Sequence, residues 1–214
     1  MKYIEKSSVE PSSLSDWKAQ DKMYKREKAK WKRFGKPYKE DLKKDLIAEQ
    51  GGICCYCEQK LKTDDSHLEH LFPQKLDSFS ESLFDYNNLL CSCQKELTKG
   101  EPRHCGNSKG SWYDKDLLVS PLDINCEIKF KYNSDGTIEP TDEASKETIL
   151  HLQLDIDKLN ILRASAIEAF IIDPITFEEI SEEEAQIFAK EYLKQENGKF
   201  NEFYTTIQYL FGNI

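Results

Sequence analysis

Apolar residues recur at helical spacing towards both ends of the chain and lose any regular period in its middle third. Near the start, Trp17, Tyr24 and Trp31 fall seven residues apart, behind Ser15 and Asp16. Those two side chains can accept bonds from the unpaired amides of a first helical turn, which predicts a helix running to about Phe34 and broken at Gly35-Lys36-Pro37. Leu42, Leu46 and Ile47 predict a second helix over Lys39–Gln50, stopped at Gly51-Gly52, where glycine tolerates the positive φ of a helix end. From Ile53 to Trp112 short apolar runs such as Leu89-Leu90 alternate with polar turns, as expected where a metal rather than a large core fixes the chain. After Pro121 the stretch CEIKFKYNSDGTIEP alternates, turns at Ser134-Asp135-Gly136 and resumes, predicting a hairpin. Helices are then predicted over about 142–152, 156–172, 182–195 and 199–211, the third opened by Ser181 and Glu184 in capping-box spacing. The fold class expected is α+β, in three parts: a helical segment over 1–50, a metal-stapled core over 51–120, and a hairpin with helices over 121–214.

Composition narrows the class. Apolar residues make up 38% of the 214 and charged residues 32%, and no stretch approaches the roughly 18 to 20 apolar residues of a spanning helix. The opening MKYIEKSSVEPSS lacks the apolar centre of a signal peptide, so a cytoplasmic protein with reduced thiols is expected. The net charge of −9 speaks against a nucleic-acid partner only on average. Lys18 to Lys44 carries twelve Lys or Arg against four Asp or Glu, whereas Asn133 to Ile214 carries seventeen acids against six bases. The basic segment, with Lys25, Arg26, Lys32 and Arg33 among its aromatics, is the candidate phosphate contact; the acidic half needs another role.

Five of the seven cysteines lie between Cys54 and Cys93. Cys54 and Cys57 form a Cys-x2-Cys knuckle, whose two thiolates can meet one tetrahedral zinc ion, and Cys93 and Cys105 would complete a structural four-thiolate site, leaving Cys55 and Cys91 as spares. Cys126 and His151 read as packing residues. Between the cysteine groups, His67-Leu68-Glu69-His70-Leu71-Phe72-Pro73 sets a carboxylate beside an imidazole. Phosphodiester hydrolysis needs both: a carboxylate oxygen to hold a divalent cation against the phosphate, and a near-neutral base to take a proton from water. Adjacent residues of a strand point to opposite faces, so Glu69 and His70 must sit at a bend or reach a substrate from different sides. Asn88 lies five residues before Cys93, and His104-Cys105-Gly106-Asn107-Ser108-Lys109 places an amide and a cation just after the last thiolate.

Taken in order, Cys-x2-Cys, Glu-His-x2-Pro, Asn-Leu-x3-Cys and Cys-x-Asn-x-Lys resemble the HNH nucleases, whose ββα-metal core is framed by such a zinc site. The resemblance implies His70 as general base, Glu69 as a ligand of catalytic Mg²⁺ or Mn²⁺, and Asn88 as the residue that orients the histidine. It implies Asn107 as second cation ligand, with His104 the alternative because Gly106 occupies the family's usual place, and a phosphate role for Lys109. The closing cysteines are separated by an insertion, Gln94 to His104. From about Gly52 through the helices near Ile172 the chain is similar to the PtuB-type HNH subunit of Septu antiphage systems and of some retrons. That implies a PtuA-like ATPase of the ABC or SMC type as partner, a possible retron reverse transcriptase complex and a nucleic-acid substrate; the acidic C-terminal part would be the docking surface. The competing class is a non-catalytic zinc-held adaptor. A thiol redox protein would need a βαβ setting for Cys54 and Cys57 that the pattern lacks.

Overall fold

The computed structural model describes residues 1–22, 24, 30–74, 82–173 and 175–212. It is an α+β protein with two small antiparallel sheets surrounded by helices. Helix α1, Ser12–Gln20, buries Leu14 and Trp17. It ends earlier than the aromatic spacing predicts: Asp21 is extended, and Trp31–Arg33 forms a 3-10 turn in place of a continuous helix to Phe34. Asp21 supplies the reason. Its carboxylate accepts from the Tyr24 amide at 2.8 Å and from Arg33 at 2.9 Å, a side-chain alternative to the helical backbone ladder. The aromatic spacing serves packing instead, with the Trp17 ring 4.7 Å from Phe84 and 5.1 Å from Phe34.

Helix α2, Lys36–Glu49, buries Leu42, Leu46 and the stem of Lys43, and Gly51 at φ +66 turns the chain out of it. A side chain at Gly51 would meet the Phe200 ring at 2.3 Å, so the same glycine admits the C-terminal segment. The cysteine knuckle follows, closed by the bridge between Ile53 and Lys60. Strands β1, Ser66–His70, and β2, Leu89–Cys93, then pair in the register His70 to Leu89 and Ser66 to Cys93. Helix α3, Gly106–Lys109, is a single short turn tied to β2 by the Gly106 amide on Ser92 Oγ at 3.2 Å.

The predicted hairpin is present as β3, Phe130–Tyr132, and β4, Ile138–Pro140, but Cys126–Lys129 is a 3-10 turn rather than strand. Helices α4 (Glu143–Leu152), α5 (Asp157–Glu168), α6 (Glu182–Tyr192) and α7 (Tyr204–Phe211) complete the chain. The Ser181–Glu184 capping box forms as predicted, and Asp142 with Ser145 makes a second one. One apolar core runs from Met1 to Leu159, and a smaller one joins Ile167, Phe170, Ala189 and Ile207. Among the described residues no helix is long and apolar enough to cross a membrane.

The chain start is stitched into this core. The Met1 ammonium is buried, 2.8 Å from Glu58, 2.9 Å from the Tyr132 hydroxyl and 3.1 Å from Thr205 Oγ1. Glu58 also accepts from the Thr205 amide at 2.8 Å, so one carboxylate joins the knuckle, the Met1 ammonium and α7, and the ammonium in turn meets Tyr132 of the second hairpin.

Candidate metal centre and active site

Cys54 and Cys57 come from the knuckle, Cys93 from the end of β2 and Cys105 from the residue before α3; all four are buried, and their sulfurs lie within 4.8 Å of one another. The Cys57 and Cys93 sulfurs are 3.7 Å apart. Two thiolates about 2.3 Å from one tetrahedral ion are separated by about 3.8 Å, so the cluster fits a structural zinc ion. The Cys93 amide donates to Cys54 Sγ at 3.4 Å. Burial opposes ionisation of Cys54, but S–H donation from its neighbours, Cys105 foremost, draws its pKa well below the usual thiol range. Cys55 and Cys91 are buried outside the cluster and pushed up by that burial, Cys91 to about 12, which keeps them protonated spares.

Cys105 adopts φ +55 and is pinned by its amide to the Leu152 carbonyl at 2.7 Å, while Ser108 Oγ donates to the His151 carbonyl at 2.8 Å. The end of α4 therefore holds the last thiolate and α3 together. The insertion between the closing cysteines is clasped at its base by Gln94, whose Oε1 accepts from the His104 amide at 3.1 Å and whose Nε2 donates to the Pro102 carbonyl at 3.0 Å.

Beside the cluster, the far end of β1 carries Glu69 and His70. Glu69 is 7% exposed, and its two oxygens have different surroundings. Oε1 accepts from the Tyr56 hydroxyl at 3.2 Å and lies 2.9 Å from Lys109 Nζ. Oε2 faces His67 Nε2 at 3.6 Å. Burial works against the charge, but His67 and Lys109 outweigh it and hold the carboxyl below its ordinary pKa. Lys109 also donates to the His70 carbonyl at 2.8 Å; its side chain has no exposure, so its ammonium meets the site's own groups rather than solvent.

The His70 ring turns the other way. Its Nε2 lies 3.1 Å from the Leu83 carbonyl, which can only accept, so Nε2 carries the proton and Nδ1 the lone pair, met by the Gln74 amide at 3.0 Å. Trp31 stands edge-on at 4.4 Å. Burial, the largest influence, lowers the His70 pKa to about 4, leaving a neutral imidazole at neutral pH. Asn88, 1% exposed, does not touch the ring. Its Oδ1 accepts from the Phe72 amide at 2.7 Å and its Nδ2 donates to the Phe72 and Ser82 carbonyls at 3.2 and 2.9 Å, fixing the turn that leaves β1 just after His70.

The other predicted residues lie elsewhere. Asn107 Nδ2 donates to the Gln94 carbonyl. His104 is fully buried with Nδ1 3.1 Å from Cys105 Sγ and 3.7 Å from Cys93 Sγ. Neither bonds to Glu69 or His70. Lys32 and Arg33 are exposed, Arg33 paired with Asp21, and Lys25 and Arg26 lie outside the described residues. Tyr56, Gln74 and His67 are partners that sequence reasoning did not assign. Only His67 had a signal: on a strand, residues two apart share a face.

A buried four-cysteine cluster that fits a metal ion, beside a hairpin that presents a carboxylate and a neutral imidazole and a short helix that presents a lysine, makes up the candidate site. Consistent with it, 113 residues of the chain are 31% identical to the "Retron Vc95 putative HNH endonuclease" of Vibrio cholerae serotype O1 biovar El Tor. The match takes in 52% of this chain and 53% of that protein, so it spans about half the length of the relative. No family model matches the chain.

Proposed function

We propose that this chain is an HNH-type endonuclease that hydrolyses phosphodiester bonds in nucleic acid, with His70 as general base and Glu69 as ligand of a catalytic Mg²⁺ or Mn²⁺. The observation that carries the reading is the meeting of β1 with α3 beside the four-cysteine cluster, with Glu69 Oε2 facing His67 at 3.6 Å on one face of β1 and the neutral His70 imidazole on the other. When bound there, a divalent cation would supply charge neutralisation at the phosphate. His70, held through Leu83 as the tautomer with Nδ1 free of its own proton, accepts a proton from the attacking water once Gln74 yields its place. Asn88 positions His70 by locking the backbone that follows it.

The retron relative is in keeping with a retron setting for this nuclease, and we propose a partner beyond it. The chain would act as the nuclease of a PtuB-type antiphage complex, with a PtuA-like ATPase docked on the acidic C-terminal helices and nucleic acid on the basic N-terminal side.

A second reading has its own observation. Lys109 already neutralises Glu69, and both ring nitrogens of His70 are engaged, as they would be in a zinc-held adaptor that cleaves nothing. Zinc-loaded wild type and His70→Ala are to be compared for cleavage of DNA and RNA with Mg²⁺ or Mn²⁺, with and without the ATPase. The nuclease reading expects wild-type cleavage reduced at least about 100-fold in the variant. Inert wild type under every condition favours the adaptor, and equal cleavage removes His70 from the base role.

A further inference from the structure

We propose that His67 supplies the nitrogen donor of the divalent-cation site, so that His67 Nε2 and Glu69 Oε2 form its protein face in place of Asn107 or His104. The inference rests on the nuclease reading and names the ligand pair of the same site.

Strand alternation sends His67 and Glu69 to one face of β1 and His70 to the other. On that face the work of Glu69 is divided. Oε1 is occupied by Tyr56 and Lys109, whereas among the described residues Oε2 faces His67. The 3.6 Å between Oε2 and Nε2 is too long for a sound N–H···O bond. A small closure would make them donors of one ion: octahedral bonds of about 2.1 Å meeting at about 90° set cis donors about 3.0 Å apart.

The backbone beneath the pair is shaped for it. A Cβ at Gly106 would stand 2.5 Å from Glu69 Oε2 and 2.6 Å from His67 Nε2, so only glycine lets the backbone pass this close to both donor atoms. His67 Nδ1 is buried with no partner among the described residues, while the side chain as a whole keeps 24% exposure, room for water to complete a coordination shell. The alternatives face elsewhere: Asn107 bonds the Gln94 carbonyl and His104 adjoins the cysteine centre. An imidazole paired with a carboxylate favours Mn²⁺ over Mg²⁺, which prefers an all-oxygen shell.

The test is Mn²⁺ binding by the zinc-loaded full chain, followed by the electron paramagnetic resonance of free Mn²⁺. Wild type should bind one Mn²⁺ more tightly than Mg²⁺ competes for it. His67→Ala, and the bulkier His67→Gln should alanine fail to fold, should weaken Mn²⁺ at least about tenfold, and Asn107→Ala should leave it unchanged. In wild type, trace Mn²⁺ should broaden the imidazole signals of His67 before those of His104 and His151. Wild-type affinity in the folded His67 variants, or no preferential broadening, overturns the assignment while leaving the nuclease reading intact. Absence of any Mn²⁺ binding by wild type overturns both the assignment and the cation role of Glu69.

Discussion

The single hydrogen that serves as side chain at Gly106 lets Glu69 and His67 converge. Gly106 has no positive φ, so alanine there meets no backbone penalty and the clash at 2.5 and 2.6 Å stands alone. Gly106→Ala should lower stability by about 1 to 3 kcal/mol and loosen Mn²⁺ binding while zinc content stays at wild type. Melting, metal analysis and Mn²⁺ titration check this together, and unchanged melting with unchanged Mn²⁺ uptake would mean the gap is not needed. The sequence marks Gly106 only as a departure from a family pattern. What it faces depends on α3 folding back onto β1, a long-range contact that local spacing does not encode; Tyr56 was hidden in the same way, and Gln74, only four residues from His70, because the turn after β1 that brings it back to the ring has no regular period. The cysteine set was legible because chelation imposes its own short spacing.

The cap of α6 was legible, but the one read at Ser15 and Asp16 was not a cap, because α1 already begins at Ser12 behind Pro11. Ser181 and Glu184 announced α6, whereas Asp21 ended α1 by capturing Tyr24 and Arg33 through bonds that no periodicity shows. Cys126 alternates in sequence as a strand would, but its thiol reaches the Met1 carbonyl from a 3-10 turn. Helix α4 bears most directly on the metal centre, since its last carbonyls hold Cys105 and Ser108. Its start depends on Asp142, whose carboxylate accepts from the Ser145 amide at 2.8 Å. Asp142→Ala should cost about 1 kcal/mol, measured by urea unfolding at neutral pH. A loss of zinc before global unfolding would show that α4 is felt at Cys105; a stability equal to wild type would show that the Ser145 hydroxyl and the Lys129 carbonyl, which accept from the Thr141 amide and hydroxyl, hold the turn without the cap.

At the scale of the molecule, Glu58 joins parts that lie far apart in sequence. Burial works against the Met1 ammonium, but Glu58 and Tyr132 more than offset it and raise its pKa from 8.0 to about 11. A raised folded-state value means the contribution is whole below pH 8 and fades as pH climbs from 8 to 11. Urea unfolding across that range should show wild type losing more stability than Glu58→Gln, which should already be weaker by about 3 to 5 kcal/mol at pH 7. Parallel curves for the two proteins would disprove the coupling. The clasp at Gln94 has a consequence of a different kind. Because Cys93, Cys105 and the Gln94 side chain fasten both ends of the insertion, its tip around Lys99 and Gly100, where a Cβ would meet nothing within 4 Å, is a loop whose length is uncoupled from the centre it springs from. Doubling such a loop costs only about 0.6 kcal/mol in closure entropy, so the loop tolerates a change of length, and a reporter peptide spliced at Gly100 would ride on the protein without disturbing the cysteine cluster.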